Sequence, residues 1–140
     1  AMIDMPLVVA GAPGWGDAAV PASADVTFLG HVPADVLNAL YVTASVFAYP
    51  SLHEGFGLPV LEAMAHGTPV VTSRGTATQE AAGGAAVLID PADIESIATG
   101  LRTALNDAPR LVRLGTERAA ACSWEVTADA TVECYQQVAR

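Results

Sequence analysis

Tyr49-Pro50-Ser51-Leu52-His53-Glu54-Gly55-Phe56-Gly57-Leu58-Pro59-Val60-Leu61-Glu62-Ala63-Met64 is the stretch on which the fold turns. It leaves a short apolar run, passes the glycines Gly55 and Gly57, and enters a helical segment with Pro59 near its first position. A strand, a glycine-bearing turn and a helix in that order form half of a parallel βαβ unit. In an open parallel sheet, ligands sit at the carboxyl ends of strands, where such turns lie.

Outward from this stretch the pattern repeats. Leu7–Ala10, Val26–Leu29, Val46–Tyr49, Pro69–Thr72 and Ala86–Ile89 read as strands. Their near-continuous apolar character suits strands covered by helices on both faces. Ala34–Val42 reads as a helix with Leu37, Leu40 and Tyr41 on one side. The helix that opens at Leu58-Pro59 stops at His66, because Gly67 suits the position after a helix end and Pro69 prevents continuation. Asp90-Pro91 opens a helix bearing Ile94, Ile97, Ala98, Leu101 and Leu105, and a further helix covers about Arg110–Ala121. Ser123 looks like the N-cap of a last helix with Trp124, Ala128, Thr131, Tyr135 and Val138 on one stripe. Gly11–Ala24 is the least regular part and reads as a loop. The expected fold is α/β, a Rossmann-like parallel sheet of about five strands with helices on both faces, in one domain over residues 1–140.

Composition narrows the function classes. The net charge is −9, and all six basic residues are arginines. No basic patch for nucleic acid or an anionic membrane can be assembled from so few cations, so neither partner is expected. An acidic protein can still bind phosphate, since backbone N–H groups at a helix start hold anions locally. The longest apolar runs, such as Pro6–Ala10, are far shorter than the ~20 residues of a membrane span. No basic, then apolar, leader opens the chain, and a cytoplasmic location is expected, with peripheral attachment at the inner membrane face left open. Cys122 and Cys134 lack metal-ligand spacing and read as idle or buried thiols in a reducing compartment.

The chemistry of the turn follows from residue types. Gly55 and Gly57 let the backbone approach a ligand with no Cβ in the way. The N–H groups of the following helix, at its positive dipole end, suit a diphosphate. Glu54 and Glu62 flank the turn, and an ionised carboxylate accepts two hydrogen bonds, which matches neighbouring hydroxyls on a sugar or ribose. The plainer reading makes Glu54 a solvated loop charge and Glu62 an ordinary exposed helix residue. Against it stands the apolar run Leu61, Ala63, Met64 and Ala65 around Glu62, because a carboxylate on a buried helix needs partners.

The segment resembles the E-x7-E motif of retaining GT-B glycosyltransferases, especially the large family 4 with its bacterial mannosyl- and rhamnosyltransferases. Leu7–Gly16, Val26–Pro33, Leu40-Tyr41, Ala63–Val71 and Cys122–Glu125 continue the likeness in the correct order over nearly the whole chain. The resemblance implies that Glu54 is the catalytic-site acid that contacts donor-sugar hydroxyls. It implies that backbone amides of Gly55, Phe56, Gly57 and Leu58 face the sugar and diphosphate, that Glu62 binds the ribose, and that Val32 and Pro33 lie along the nucleobase. No metal or other cofactor is expected. The donor is a nucleotide diphosphate sugar, with GDP-mannose favoured over dTDP- and UDP-sugars, and the acceptor a glycan or glycolipid. The mechanism implied has the leaving phosphate assist attack on the same face, without an enzyme nucleophile.

The likeness also has departures. The family domain begins with one more strand and helix before the Leu7 run, carrying basic residues that clamp the diphosphate, and is preceded by an acceptor-binding domain. On that reading the chain is truncated at its N-terminal end and inactive alone. The missing first strand would be central in a 3-2-1-4-5-6 order, with two of the remaining strands on one side and three on the other, so that the halves close up, a second copy supplies contacts, or the chain is a remnant of a longer protein. Self-association through exposed apolar edges is then expected. Gln79-Glu80-Ala81 stands where the family has Pro-Glu-Val, and Arg74 reads as a solvated loop residue rather than a phosphate contact. His31, His53 and His66 are not expected to act as bases. A non-hydrolysing UDP-sugar 2-epimerase and a non-catalytic nucleotide-binding or scaffolding module are the alternatives. A dinucleotide-binding module fits less well, since Ala10–Gly14 lacks G-x-G-x-x-G.

Overall fold

Val70, Val71, Thr72 and Ser73 are all buried, and the β-branched run they begin forms a strand covered on both faces. The structure, a computed structural model, describes residues 5–12 and 25–139. Those residues contain five strands, β1 (Leu7–Ala10), β2 (Val26–Gly30), β3 (Phe47–Tyr49), β4 (Val70–Ser73) and β5 (Val87–Ile89). The helices are α1 (Ala34–Thr43), α2 (Leu58–Ala65), α3 (Ala77–Ala82), α4 (Ile94–Asn106), α5 (Ala108–Ala120) and α6 (Trp124–Val138). The chain forms two compact units, Ala1–Leu40 and Tyr41–Arg140.

All strand pairs are parallel, as the α/β pattern requires. β1 pairs with β2, and β3, β4 and β5 form a second sheet in that order. The described strands thus form a pair and a triplet. In the larger unit Phe47 aligns with Val70 and Tyr49 with Thr72, while Thr72 aligns with Leu88 on the other side. Val71, Ile89, Ala104 and Leu111 form its core, with Val46, Val87, Ile97 and Leu101 packed against them. Burying side chains such as Ile89 and Leu111 stabilises by roughly 1.5–3 kcal/mol each. Gly100 lets α4 lie close on this sheet, since a Cβ there would run into Ile89 and approach Val71 to 3.3 Å.

α2 buries Val60, Ala63 and Met64, and α5 brings Gly115 against Met64. The helix ends where expected, with His66 as its C-cap and the Gly67 N–H donating to the Met64 carbonyl.

Three expectations need correction. β1 and β2 are not covered on both faces, because Leu7, Val8, Phe28 and Leu29 are exposed. The helix after β5 begins at Ile94, since Asp93 rather than Asp90 caps it by accepting from the Glu95 N–H. α3 is a further helix, in a stretch between two strands to which no element was assigned. The loop expected over Gly11–Ala24 lies outside the described residues from position 13 onward.

Candidate functional site

The loop from β3 to α2 carries the two acids. β4 pins its start: the Thr72 hydroxyl lies 3.0 Å from the Tyr49 carbonyl and 2.7 Å from the Thr78 hydroxyl. Beyond Tyr49 the chain folds back so that two hydroxyls reach one carboxylate oxygen. Tyr49 Oη and Ser51 Oγ both donate to Glu54 Oε1, each at 2.6 Å. Two donors on one oxygen favour the ionised form, and they hold the Glu54 carboxyl below its usual range, Ser51 contributing most and Tyr49 next. Tyr49 is pushed up to about 12, by burial first, then by its hydrogen bond to Glu54 and that carboxylate's charge.

Gly57 ends the loop as the N-cap of α2, with φ 92° and ψ 36° in the left-handed region. A Cβ at this position would come within 3.1 Å of the Thr78 backbone and side chain, so both conformation and space call for glycine. No side chain caps α2, and Pro59 occupies its first turn. The Val60 N–H donates back to the Gly57 carbonyl at 3.0 Å. A helix start without a side-chain cap is where an anion can take the cap's place. Gly55, Phe56 and Leu58 line this turn as exposed residues, Phe56 at 59% of its full exposure.

Glu62 lies on the open side of α2, exposed rather than buried. The partner that an acid on so apolar a helix calls for is nonetheless present. The Tyr41 hydroxyl donates to Glu62 Oε2 at 3.2 Å, reaching it from the end of α1. Tyr41 is 4% exposed, and burial, followed by the Glu62 charge and hydrogen bond, pushes its pKa upward. The Thr68 hydroxyl donates to the Tyr41 carbonyl and anchors that backbone. Sequence reasoning placed Tyr41 on the helix but assigned it no partner, because its acid lies 21 positions away.

The structure therefore brings Glu54, Gly55, Phe56, Gly57, Leu58 and Glu62 into one strand–turn–helix. Val32 and Pro33 belong to the other compact unit, between β2 and α1, where the Pro33 carbonyl accepts from Leu37. Arg74 is exposed just past β4, and Glu80 is exposed on α3. His66 Nδ1 lies 2.8 Å from the Glu62 carbonyl, and the ring packs against Tyr41. Cys122 and Cys134 are free thiols.

Two curated relatives align with this chain in sequence. O-antigen chain mannosyltransferase B of Escherichia coli is 36% identical over 94% of this chain and 37% of its own length. MMP alpha-(1->4)-mannosyltransferase of Mycolicibacterium hassiacum is 42% identical over 72% of this chain and 26% of its own length. The chain thus spans about a third of the length of such relatives. Among solved structures, sucrose-phosphate synthase from Thermosynechococcus elongatus superposes with a TM-score of 0.70 at 33% identity, covering 81% of this chain and 30% of that one. Anabaena HepE, solved with UDP-glucose, gives a TM-score of 0.73 over 96% of this chain and 41% of its own, and at 18% identity the likeness is one of fold. Both neighbours are GT-B glycosyltransferases. Residues 2–107, which hold the Glu54–Glu62 turn and all five strands, match the family described as Glycosyl transferases group 1, and the chain belongs to that family.

Proposed function

We propose that the chain is the donor-binding part of a retaining, family 4 type glycosyltransferase that moves a hexose from a nucleotide diphosphate sugar to a glycan or glycolipid. The arrangement at α2 carries this reading: two carboxylates flank a helix start that no side chain caps. Glu54, ionised and oriented by Tyr49 and Ser51, accepts hydrogen bonds from hydroxyls of the transferred sugar. Backbone N–H groups of Gly55, Phe56, Gly57 and Leu58 and the positive end of α2 offset the diphosphate charge. Glu62 takes the ribose hydroxyls.

In this reading the bond from the sugar's anomeric carbon to the diphosphate breaks, and a bond from that carbon to the acceptor oxygen forms on the same face. The acceptor's proton passes to the leaving phosphate, so no residue of the chain serves as nucleophile or base, and no metal or cofactor is called on. Mannose is the favoured hexose and GDP-mannose the favoured donor, since relatives in both Escherichia coli and Mycolicibacterium bear the name mannosyltransferase. We assign the acceptor site to parts of such relatives beyond the third that this chain spans. Among the described residues no helix is long and apolar enough to cross a membrane. We place the reaction in the cytoplasm, at or near the inner membrane face.

Calorimetric titration with GDP, UDP and dTDP, repeated on Glu62→Ala, tests the reading. The expected result is selective binding of one nucleotide, weakened at least tenfold by the substitution, a loss of about 1.4 kcal/mol. Equal binding by the variant would remove the ribose role from Glu62.

A further inference from the structure

The two acids are joined by more than the loop between them. Phe47 and Tyr49 are two residues apart on β3, so their side chains leave the same face of the strand. Their rings stack with centroids 5.6 Å apart and planes 20° from parallel. Tyr41 meets the same Phe47 ring in an edge arrangement, with centroids 5.2 Å apart and planes at 89°. Each outer ring then donates its hydroxyl to a glutamate, Tyr49 to Glu54 and Tyr41 to Glu62. The path Glu54–Tyr49–Phe47–Tyr41–Glu62 is continuous, and its central ring has no hydrogen-bonding group to offer either acid.

The hydrogen bonds are also selective by atom. Tyr49 and Ser51 both occupy Oε1 of Glu54, and Tyr41 occupies Oε2 of Glu62. Among the described residues the other oxygen of each carboxylate has no hydrogen bond, and it is the one open to a ligand. A glutamate turns about three side-chain torsions, whereas a packed tyrosine has only two to fix. Rings locked against one another therefore hold the open oxygens at a set spacing before any ligand arrives. That lowers the ordering cost of binding.

We propose that Tyr41, Phe47 and Tyr49 act as one positioning unit, in which Tyr49 aims Glu54 at the sugar, Tyr41 aims Glu62 at the ribose, and Phe47 couples the two. The roles of the acids rest on the function proposed above. The three aromatic residues touch no substrate and act through the glutamates. Removing one hydroxyl should therefore affect only the part of the ligand that its glutamate holds.

The test titrates the whole chain with the nucleoside diphosphate it prefers among GDP, UDP and dTDP, and with the corresponding hexose conjugate. Tyr49→Phe should weaken the conjugate roughly tenfold and leave the plain nucleotide unchanged. Tyr41→Phe should weaken both by a common factor. Phe47→Leu, which removes no hydrogen-bonding group, should produce both losses together. Carboxyl carbon NMR of Glu54 gives a readout free of ligand: Tyr49→Phe and Phe47→Leu should each raise its titration midpoint toward the ordinary glutamate range, while helix content and melting show each variant folded. The Ser51 hydroxyl also holds the Glu54 carboxyl below its usual range, and the substitutions leave it in place. Wild-type conjugate affinity in both tyrosine variants, with binding lost in Glu54→Gln and Glu62→Ala, would overturn the positioning role and leave the donor site standing. Unchanged binding in the glutamate variants themselves would overturn the donor site. If the chain binds none of the probes, the carboxyl titration decides: an unmoved Glu54 midpoint in Phe47→Leu overturns the coupling.

Discussion

At Gly57 the backbone turns from loop to helix in a conformation open to few other residues, against a wall formed by Thr78. Gly57→Ala adds a Cβ in the left-handed region and 3.1 Å from Thr78, so it should cost about 1–3 kcal/mol, read from urea melts. An unchanged midpoint would mean that the turn relaxes freely. The tyrosine–glutamate contact gives a second prediction. Tyr49 stands at about 12 against an ordinary 10, raised by burial and then by Glu54. The folded phenol keeps its proton longer than the unfolded one, so its stabilising contribution is whole below pH 10 and is lost as pH climbs towards about 12. Tyr41 is shifted in the same direction by burial and then Glu62. Thermal melts should therefore fall across this window, and Tyr49→Phe should make the fall shallower; an identical slope in the variant would dissociate Tyr49 from it. The acids themselves were legible in sequence, because a seven-residue gap across a glycine turn is a local pattern. Their tyrosine partners were not, since Tyr41 reaches Glu62 only once α1, β3 and α2 have packed.

Helices show where local pattern suffices and where it fails. α4 and α6 were both readable from apolar spacing; the Ser123 cap expected for α6 forms, accepting from Val126, whereas α4 is capped by Asp93, which accepts from Glu95, and not at Asp90. The two helices differ in what they bury. α4 sets Gly100 and Ala104 into the core, whereas α6 has no buried residue. Asp93→Ala should therefore lower stability of the folded unit by about 1 kcal/mol, or about 3 °C in melting temperature. Ser123→Ala removes an equivalent bond, yet should reduce helical circular dichroism with little shift in the main transition, because α6 frays without exposing core. Equal melting shifts in the two variants would show that α6 is coupled to the core after all. α3 escaped the sequence reading for a physical reason. Six residues are too few to show a helical period, Thr76 makes no side-chain cap bond, and the helix is held from afar. Arg118, on α5, donates to the carbonyls of Ala81 and Glu80 at its C-terminal end.

For the whole chain, the strands form a pair and a triplet, and the apolar runs that mark all five described strands were readable in sequence. The unequal burial of the two sheets was not, since apolar runs alone cannot say how many neighbours a strand will find. β4 is buried at every position, while the β1–β2 pair exposes Leu7, Val8, Phe28 and Leu29. Each strand of that pair has one ladder partner among the described residues, so it presents an open edge beside apolar side chains. α6 adds Trp124, Tyr135 and Val138, with Trp124 78% exposed. Apolar surface of this kind tends to be covered by another chain when none of its own is available. Sedimentation velocity over a range of concentrations should accordingly show the mean mass rising above the 14.3 kDa of one chain. Phe28→Lys places a charge on the exposed pair, where it contacts no core, and should push the rise to higher concentration without lowering the melting temperature. A wild-type chain that stays monomeric throughout and melts in one cooperative step would refute association, and would mean that the β1–β2 pair is stable with its apolar side chains in water.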